Sequence, residues 1–197
     1  MTHLENLAGI FQAGELRSYN LMRGQSYFNL SNQDVQSGRA QIVIPATGKP
    51  LHDYVPLYFG FKTPMVAWNQ QHNDALVFLR FSLDILARPG VVVSDGNARA
   101  ENTRFRLYRG LDDLDFLDSK AIQTVKYAHD AELKRRKQAE LLVPDVLPVA
   151  EVLDLICFSQ QSARGVVAIL QKSGIKKSVI VNQGWYFVAA PTDGGKA

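Results

Sequence analysis

Short apolar runs broken at close intervals by turn residues limit the fold of this chain more than any other feature. Val152 to Phe158 and Lys177 to Val181 read as strands. Between them Ser162 to Lys172 reads as a helix with Val166, Val167 and Leu170 on one side and Gly174 as its stop. Trp185 to Val188 reads as a further strand after a turn at Asn182-Gln183-Gly184. Upstream, His52 to Phe59, Ala75 to Asp84 and Val91 to Val93 are strand candidates, and the second is apolar enough to suit a helix as well. Asn6 to Phe11 predicts a short helix, with Leu7, Ile10 and Phe11 on its buried side and Gly14 ending it. One or two more short helices are expected between Leu111 and Tyr127. Ala131 to Leu141 is rich in helix formers, although Leu141-Leu142-Val143 equally suits the start of a strand. Numerous strands with short helices predict an α+β fold around a mainly antiparallel sheet.

A chain of 197 residues, 46% of them hydrophobic, can bury one sizeable core, and a single domain over 1–190 with a frayed tail at 191–197 is expected. There is no apolar run of the roughly 18 to 20 residues that a membrane helix needs, and the start lacks the basic-then-apolar layout of a signal peptide. A soluble, cytoplasmic protein is expected. The single cysteine, Cys157, cannot form an internal disulfide, and its apolar neighbours predict a buried, inert thiol. His3, His52, His72 and His129 show no close metal-ligand spacing, so no metal site is expected. A net charge of +3 permits a nucleic-acid partner without specifying one. Residues 17 to 39 are polar and irregular, as a functional loop would be.

Several segments, taken in chain order, carry a family pattern. They are Thr2-His3-Leu4-Glu5-Asn6-Leu7, Asn29-Leu30-Ser31-Asn32 followed by Gly38-Arg39, His52 to Phe59, Thr63-Pro64-Met65, Ser94 to Ala98, Leu114-Asp115-Phe116 and Arg135 to Val143. HDYVPLYF and RRKQAELLV are the most specific of these. Together the segments resemble the DarT family of DNA ADP-ribosyltransferase toxins. The resemblance implies the split antiparallel sheet of ADP-ribosyltransferases, NAD+ as co-substrate and no metal. It also implies transfer of ADP-ribose to a base of single-stranded DNA, thymine ahead of guanine, and a macrodomain antitoxin of the DarG type as partner.

Residue by residue, the resemblance implies that Glu140 is the catalytic carboxylate, that Arg39 acts in catalysis and NAD+ binding, and that His3 and Asn6 line the NAD+ pocket. Tyr54 and Tyr58, on one face of a strand by period-two alternation, are expected to add a wall for nicotinamide or an unstacked base. Met65, Asn97, Arg99, Arg104 and Arg136 are the expected DNA contacts. Two features depart from the pattern. Relatives usually carry several residues before the Thr-His pair, where this chain begins Met1-Thr2-His3, so a weakened NAD+ wall is expected. Many relatives have histidine where Asn97 stands; asparagine keeps hydrogen-bonding capacity but cannot take up a proton at neutral pH, so an acid or base role there is not expected. The rival readings are a catalytically weakened DNA-binding relative and a transferase acting on RNA or protein.

The chemistry explains why one carboxylate matters. Breaking the nicotinamide–ribose bond leaves an oxocarbenium-like sugar, which a fixed negative charge stabilises. An arginine cannot be a general base, because guanidinium stays charged at physiological pH. Its part is to bind base carbonyls or phosphates and to stabilise a deprotonated imide, with Glu140 as the proton acceptor.

Overall fold

The computed structural model describes residues 1–31 and 33–188. The predicted tail at 191–197 and Asn32 of the Asn-rich motif lie outside them. In chain order the elements are β1 (Thr2–His3), α1 (Asn6–Ala13), β2 (Glu15–Arg17), α2 (Gln33–Ala40), β3 (Tyr54–Tyr58), α3 (Pro64–Trp68), β4 (Leu76–Phe81), β5 (Val92–Ser94), β6 (Phe105–Leu107), α4 (Ser119–Gln123), α5 (Ala131–Arg136), β7 (Glu140–Pro144), β8 (Val146–Pro148), β9 (Val152–Cys157), α6 (Gln160–Ser173) and β10 (Ser178–Val181). The strands form two four-stranded sheets, β1-β4-β9-β10 and β3-β7-β5-β6, and a small β2-β8 ladder. Among the described residues every strand pairing is antiparallel except β9 with β10, which α6 connects as a crossover. The fold is the expected single-domain α+β architecture.

The helix ends follow their capping chemistry. Ser159 accepts from the Ser162 amide at the start of α6, and Gly174 ends it at φ 67°, a left-handed conformation that glycine adopts without a Cβ penalty. Gly14 does the same for α1 at φ 73°. Val166, Ala163 and Leu170 of α6 and Leu7 and Phe11 of α1 pack on Val77, Leu79, Leu155 and Cys157 of the first sheet. Cys157 is a free, buried thiol, and burial pushes its pKa up to about 11. A second core under the other sheet joins Val55, Val93, Leu141, Val143, Ile85, Leu86 and Leu147.

Four local readings are corrected. Residues 17 to 39 end in a helix, α2, and begin on the last residue of β2. The helix from Ala131 stops at Arg136, because Glu140 to Val143 are wholly buried between β3 and β5, where only a strand satisfies the backbone on both sides. The strand expected from His52 begins at Tyr54, after a 3-10 turn over Leu51–Asp53. Trp185 to Val188 form no strand; Gln183–Trp185 make a 3-10 turn, and the Tyr186 hydroxyl holds the segment by reaching the carbonyls of Leu76 and Ile156.

Candidate functional site

Glu140 opens β7, opposite Tyr58 on β3 and Ser94 on β5. This register puts its side chain at the floor of a cavity of about 590 Å³, lined by β3 from Pro56 to Tyr58, β4 from Phe78 to Phe81, Arg39 of α2, Met65 and Trp68 of α3, and Asn97, Lys134 and Gln138. That volume lies within the roughly 300–1,000 Å³ typical of clefts that take small molecules and cofactors. β1 covers β4 only at Leu76 and Val77, which leaves the rest of β4 to form a cavity wall.

The Glu140 side chain is 1% exposed and its carboxylate is gripped from two sides. Arg39 donates from Nη1 to Oε1 at 3.0 Å and from Nη2 to Oε2 at 2.9 Å, and the Ala98 amide donates to Oε1 at 3.1 Å. Ser94 holds the Glu140 backbone, its hydroxyl accepting from the Glu140 amide at 3.2 Å. Burial works against the charge of Arg39, but the Glu140 charge and hydrogen bonds outweigh it and raise the guanidinium pKa. Tyr58, half-buried beside this pair, has its hydroxyl pKa raised by burial and then by the Glu140 charge, with Arg39 opposing. The family pattern thus joins two residues 101 positions apart into a bidentate ion pair.

The remaining predicted residues divide. Tyr58, Met65 and Asn97 line the cavity. Tyr54 does not: it lies on the same face of β3 as Tyr58, but four residues along a strand is about 13 Å. It is 2% exposed, packed with Ile44, Leu51 and Leu142, with its hydroxyl on Thr47, so the expected wall role at Tyr54 is corrected to core packing. His3 and Asn6 lie beyond the cavity lining, under Phe28. The Phe28 ring stacks on His3 at 3.7 Å and 11°, and Asn6 accepts from the Phe28 amide at 2.7 Å while donating to its carbonyl at 2.9 Å.

Of the basic residues, Arg99 is exposed and its side chain runs against Gly38, next to Arg39. Arg104 is bound to Asp95, and Arg136 to Glu132 and Asp118; neither lines the cavity. The sequence reading missed Gln138 as a lining residue, although it stands two positions before Glu140 in the quoted motif. It also missed the Ala98 amide, which no side-chain pattern could announce.

Comparison with known proteins settles the family. A family model described as "ssDNA thymidine ADP-ribosyltransferase, DarT" matches residues 1–187. The chain belongs to the DarT family. A DNA ADP-ribosyl transferase of Thermus aquaticus is 36% identical, covering 75% of this chain and 68% of the relative. The solved Thermus sp. 2.9 DarT in complex with ADP-ribosylated ssDNA superposes with a TM-score of 0.87 at 28% identity, covering 94% of this chain and 93% of that one. The same protein in complex with NAD+ gives 0.81 at 28% identity, covering 94% of each chain. This DarT-family chain is an NAD+-dependent DNA ADP-ribosyltransferase, and among its described residues no helix is long and apolar enough to cross a membrane.

Proposed function

We propose that the enzyme transfers ADP-ribose to thymine in single-stranded DNA, with Glu140 and Arg39 as its catalytic pair, and that it acts in the cytoplasm as a toxin held in check by a macrodomain antitoxin. The buried Arg39–Glu140 pair at the cavity floor carries the reading. An ionised carboxylate has about four lone-pair sites. Arg39 and Ala98 fill two on Oε1, and Arg39 fills one on Oε2. Among the described residues the second site on Oε2 has no donor; it is suited to the ribose 2′-hydroxyl, and the carboxylate charge faces the sugar as positive charge develops on it. As the C1′–nicotinamide bond breaks, nicotinamide leaves with the bonding pair. A new bond forms from C1′ to the base nitrogen, and that nitrogen's proton passes to the Oε2 site of Glu140 as the 2′-hydroxyl releases that site. Arg39 keeps Nε–H and the second hydrogens of both terminal nitrogens to hold base carbonyls or phosphates.

The preference for thymine is supported by a pair of amides. Asn97 Oδ1 accepts from the Arg99 amide at 3.0 Å, its Nδ2 donates to Gln138 Oε1 at 3.3 Å, and Gln138 Nε2 donates to the Lys134 carbonyl at 2.9 Å. Backbone partners therefore fix both orientations, and each amide nitrogen has spent one of its two hydrogens. Two donors at the wall suit an imide N–H flanked by two carbonyls, which is thymine. Guanine sets a carbonyl on one side of its ring N–H and an amino donor on the other.

The test is labelled NAD+ incubated with single-stranded oligonucleotides whose only variable base is thymine or guanine, alongside duplex DNA, RNA and protein. Label is expected on the thymine strand with the wild type and on nothing with Glu140→Ala. Label confined to guanine, RNA or protein would remove the acceptor assignment. Growth arrest on expression, relieved by Glu140→Ala and by a co-expressed macrodomain hydrolase, is the expected sign of the toxin role.

A further inference from the structure

The Ala98 amide that meets Glu140 belongs to a loop that follows β5, and the loop's shape is imposed from outside it. Asp95, 3% exposed, accepts from Arg135 Nη1 at 2.8 Å, from the Arg104 amide at 2.9 Å and from Arg104 Nε at 2.8 Å. Burial opposes its charge, yet Arg135 and Arg104 hold its carboxyl below the usual range. The Arg135 carbonyl accepts from the Asn97 amide at 3.0 Å. Thr103 closes the ring, donating to the Asn97 carbonyl at 2.7 Å and accepting from Arg135 Nη1 at 3.2 Å. Gly96 lies so close that a Cβ there would stand 2.9 Å from the Arg135 carbonyl oxygen. On its far side Arg135 is gripped by both carboxylate oxygens of Glu132 at 2.8 Å.

We propose that the buried Asp95–Arg135 pair is a positioning device for Glu140, acting through the backbone amide of Ala98. Neither Asp95 nor Arg135 is itself a lining residue of the cavity, and the hydrogen bonds of the pair run to the loop and not to the Glu140 carboxylate. It sets the one loop amide that meets Oε1, while the Ser94 hydroxyl, which donates to the Gly96 carbonyl at 2.8 Å and accepts from the Glu140 amide, ties the same loop to the strand carrying the carboxylate. With this amide fixed, Arg39 closes the carboxylate into one orientation and the open lone pair on Oε2 faces the cavity. Without it, Glu140 keeps its charge and its partner Arg39 but loses the donor that stops it turning. Part of the Arg-rich run before Glu140 is thereby an internal brace.

The inference rests on Glu140 as the catalytic carboxylate, and its test separates the two ideas. Asp95→Asn and Arg135→Lys are made singly and in a Glu140→Gln background. Amide hydrogen exchange is followed at Ala98, with Val92 and Leu141 as strand controls, and NAD+ cleavage is measured in parallel. The expected result is exchange at Ala98 faster by about tenfold or more with the controls unchanged, a kcat for NAD+ cleavage lower by about tenfold or more, and a KM for NAD+ within about twofold. In Glu140→Gln the same substitutions should add little, since they act through that side chain. Unchanged protection of Ala98, or losses that multiply in the Glu140→Gln background, would overturn the proposal. Should either variant fail to fold, Thr103→Val makes the same test more gently, with the same two outcomes. A wild type that cleaves no NAD+ would sink the functional reading, and Ala98 exchange would still decide the positioning.

Discussion

The region around Glu140 and the region around His3 are built by opposite means. At Glu140 the side chain is 1% exposed, three donors hold the carboxylate, and the strand beneath it is paired on both sides. At His3 the partner is Phe28, 44% exposed, held by one ring stack and by two hydrogen bonds with Asn6, one donated and one accepted, across 22 residues. Groups that must meet developing charge gain from being fixed before the substrate arrives. Groups that admit a substrate are drawn from segments with few buried contacts, since these open at low free-energy cost. In the proposed mechanism Glu140 meets the developing charge, and the His3 side is proposed to admit the substrate.

The largest effects should come from the rigid side. Glu140→Gln keeps the shape and removes the charge, and transfer should fall on the order of 10³-fold in kcat with little change in KM. A rapid assay with label from NAD+ checks this, and a KM-only effect would place the charge outside the chemistry. Arg39→Lys should cost about 10²-fold, because an ammonium cannot reproduce the two-pronged grip. Arg39→Ala should also lower stability by about 3 to 5 kcal/mol, as it leaves a buried carboxylate unpaired. Denaturant unfolding of the Arg39→Ala single variant against an Arg39→Ala, Glu140→Gln double variant tests this. The double variant should regain part of the loss.

On the His3 side the signature should invert. Asn6→Ala removes both bonds to Phe28, and KM for NAD+ should change by about threefold to tenfold while kcat stays within about twofold. Phe28→Ala probes the ring stack on His3, and the expected change is smaller and again confined to KM. A fall in kcat matching that of Arg39→Lys would erase the contrast between the two regions.

The sequence was legible where one local rule sufficed. Gly14 and Gly174 marked helix ends because a left-handed residue there needs glycine, and β9 and α6 followed from their periodicity. It was ambiguous at Ala131 to Leu141, where helix propensity meets a strand that exists only because β3 and β5 lie on either side. In the site, the family pattern supplied Glu140 and Arg39, but periodicity placed Tyr54 with Tyr58 and could not tell that one end of β3 is core and the other is cavity. The Arg135–Asp95 brace was unreadable for a related reason. A charge run looks the same in sequence whether its carboxylate partners are tertiary or absent.

Lys137 gives the smallest effect and the finest test of how tightly the rigid side is built. It is 2% exposed, its ammonium donates to the Ile122 carbonyl and sits 5.9 Å from the Phe61 ring, and burial lowers its pKa from 10.5 to about 8. The folded state therefore binds this proton less tightly than the unfolded chain. Between about pH 8 and 10.5 the unfolded chain holds more protons, so this residue's contribution to stability rises with pH across that window. Below pH 8 both states are protonated and the cost of burying the charge is present in full. Lys137→Met removes that cost and also the donor to Ile122, so its melting temperature relative to wild type should be most favourable near pH 7 and decline steadily toward pH 10.5. A relative melting temperature flat across that range would mean that the amine reaches solvent after all, and that the packing behind Gly60 and Phe61 is looser than the packing around Glu140.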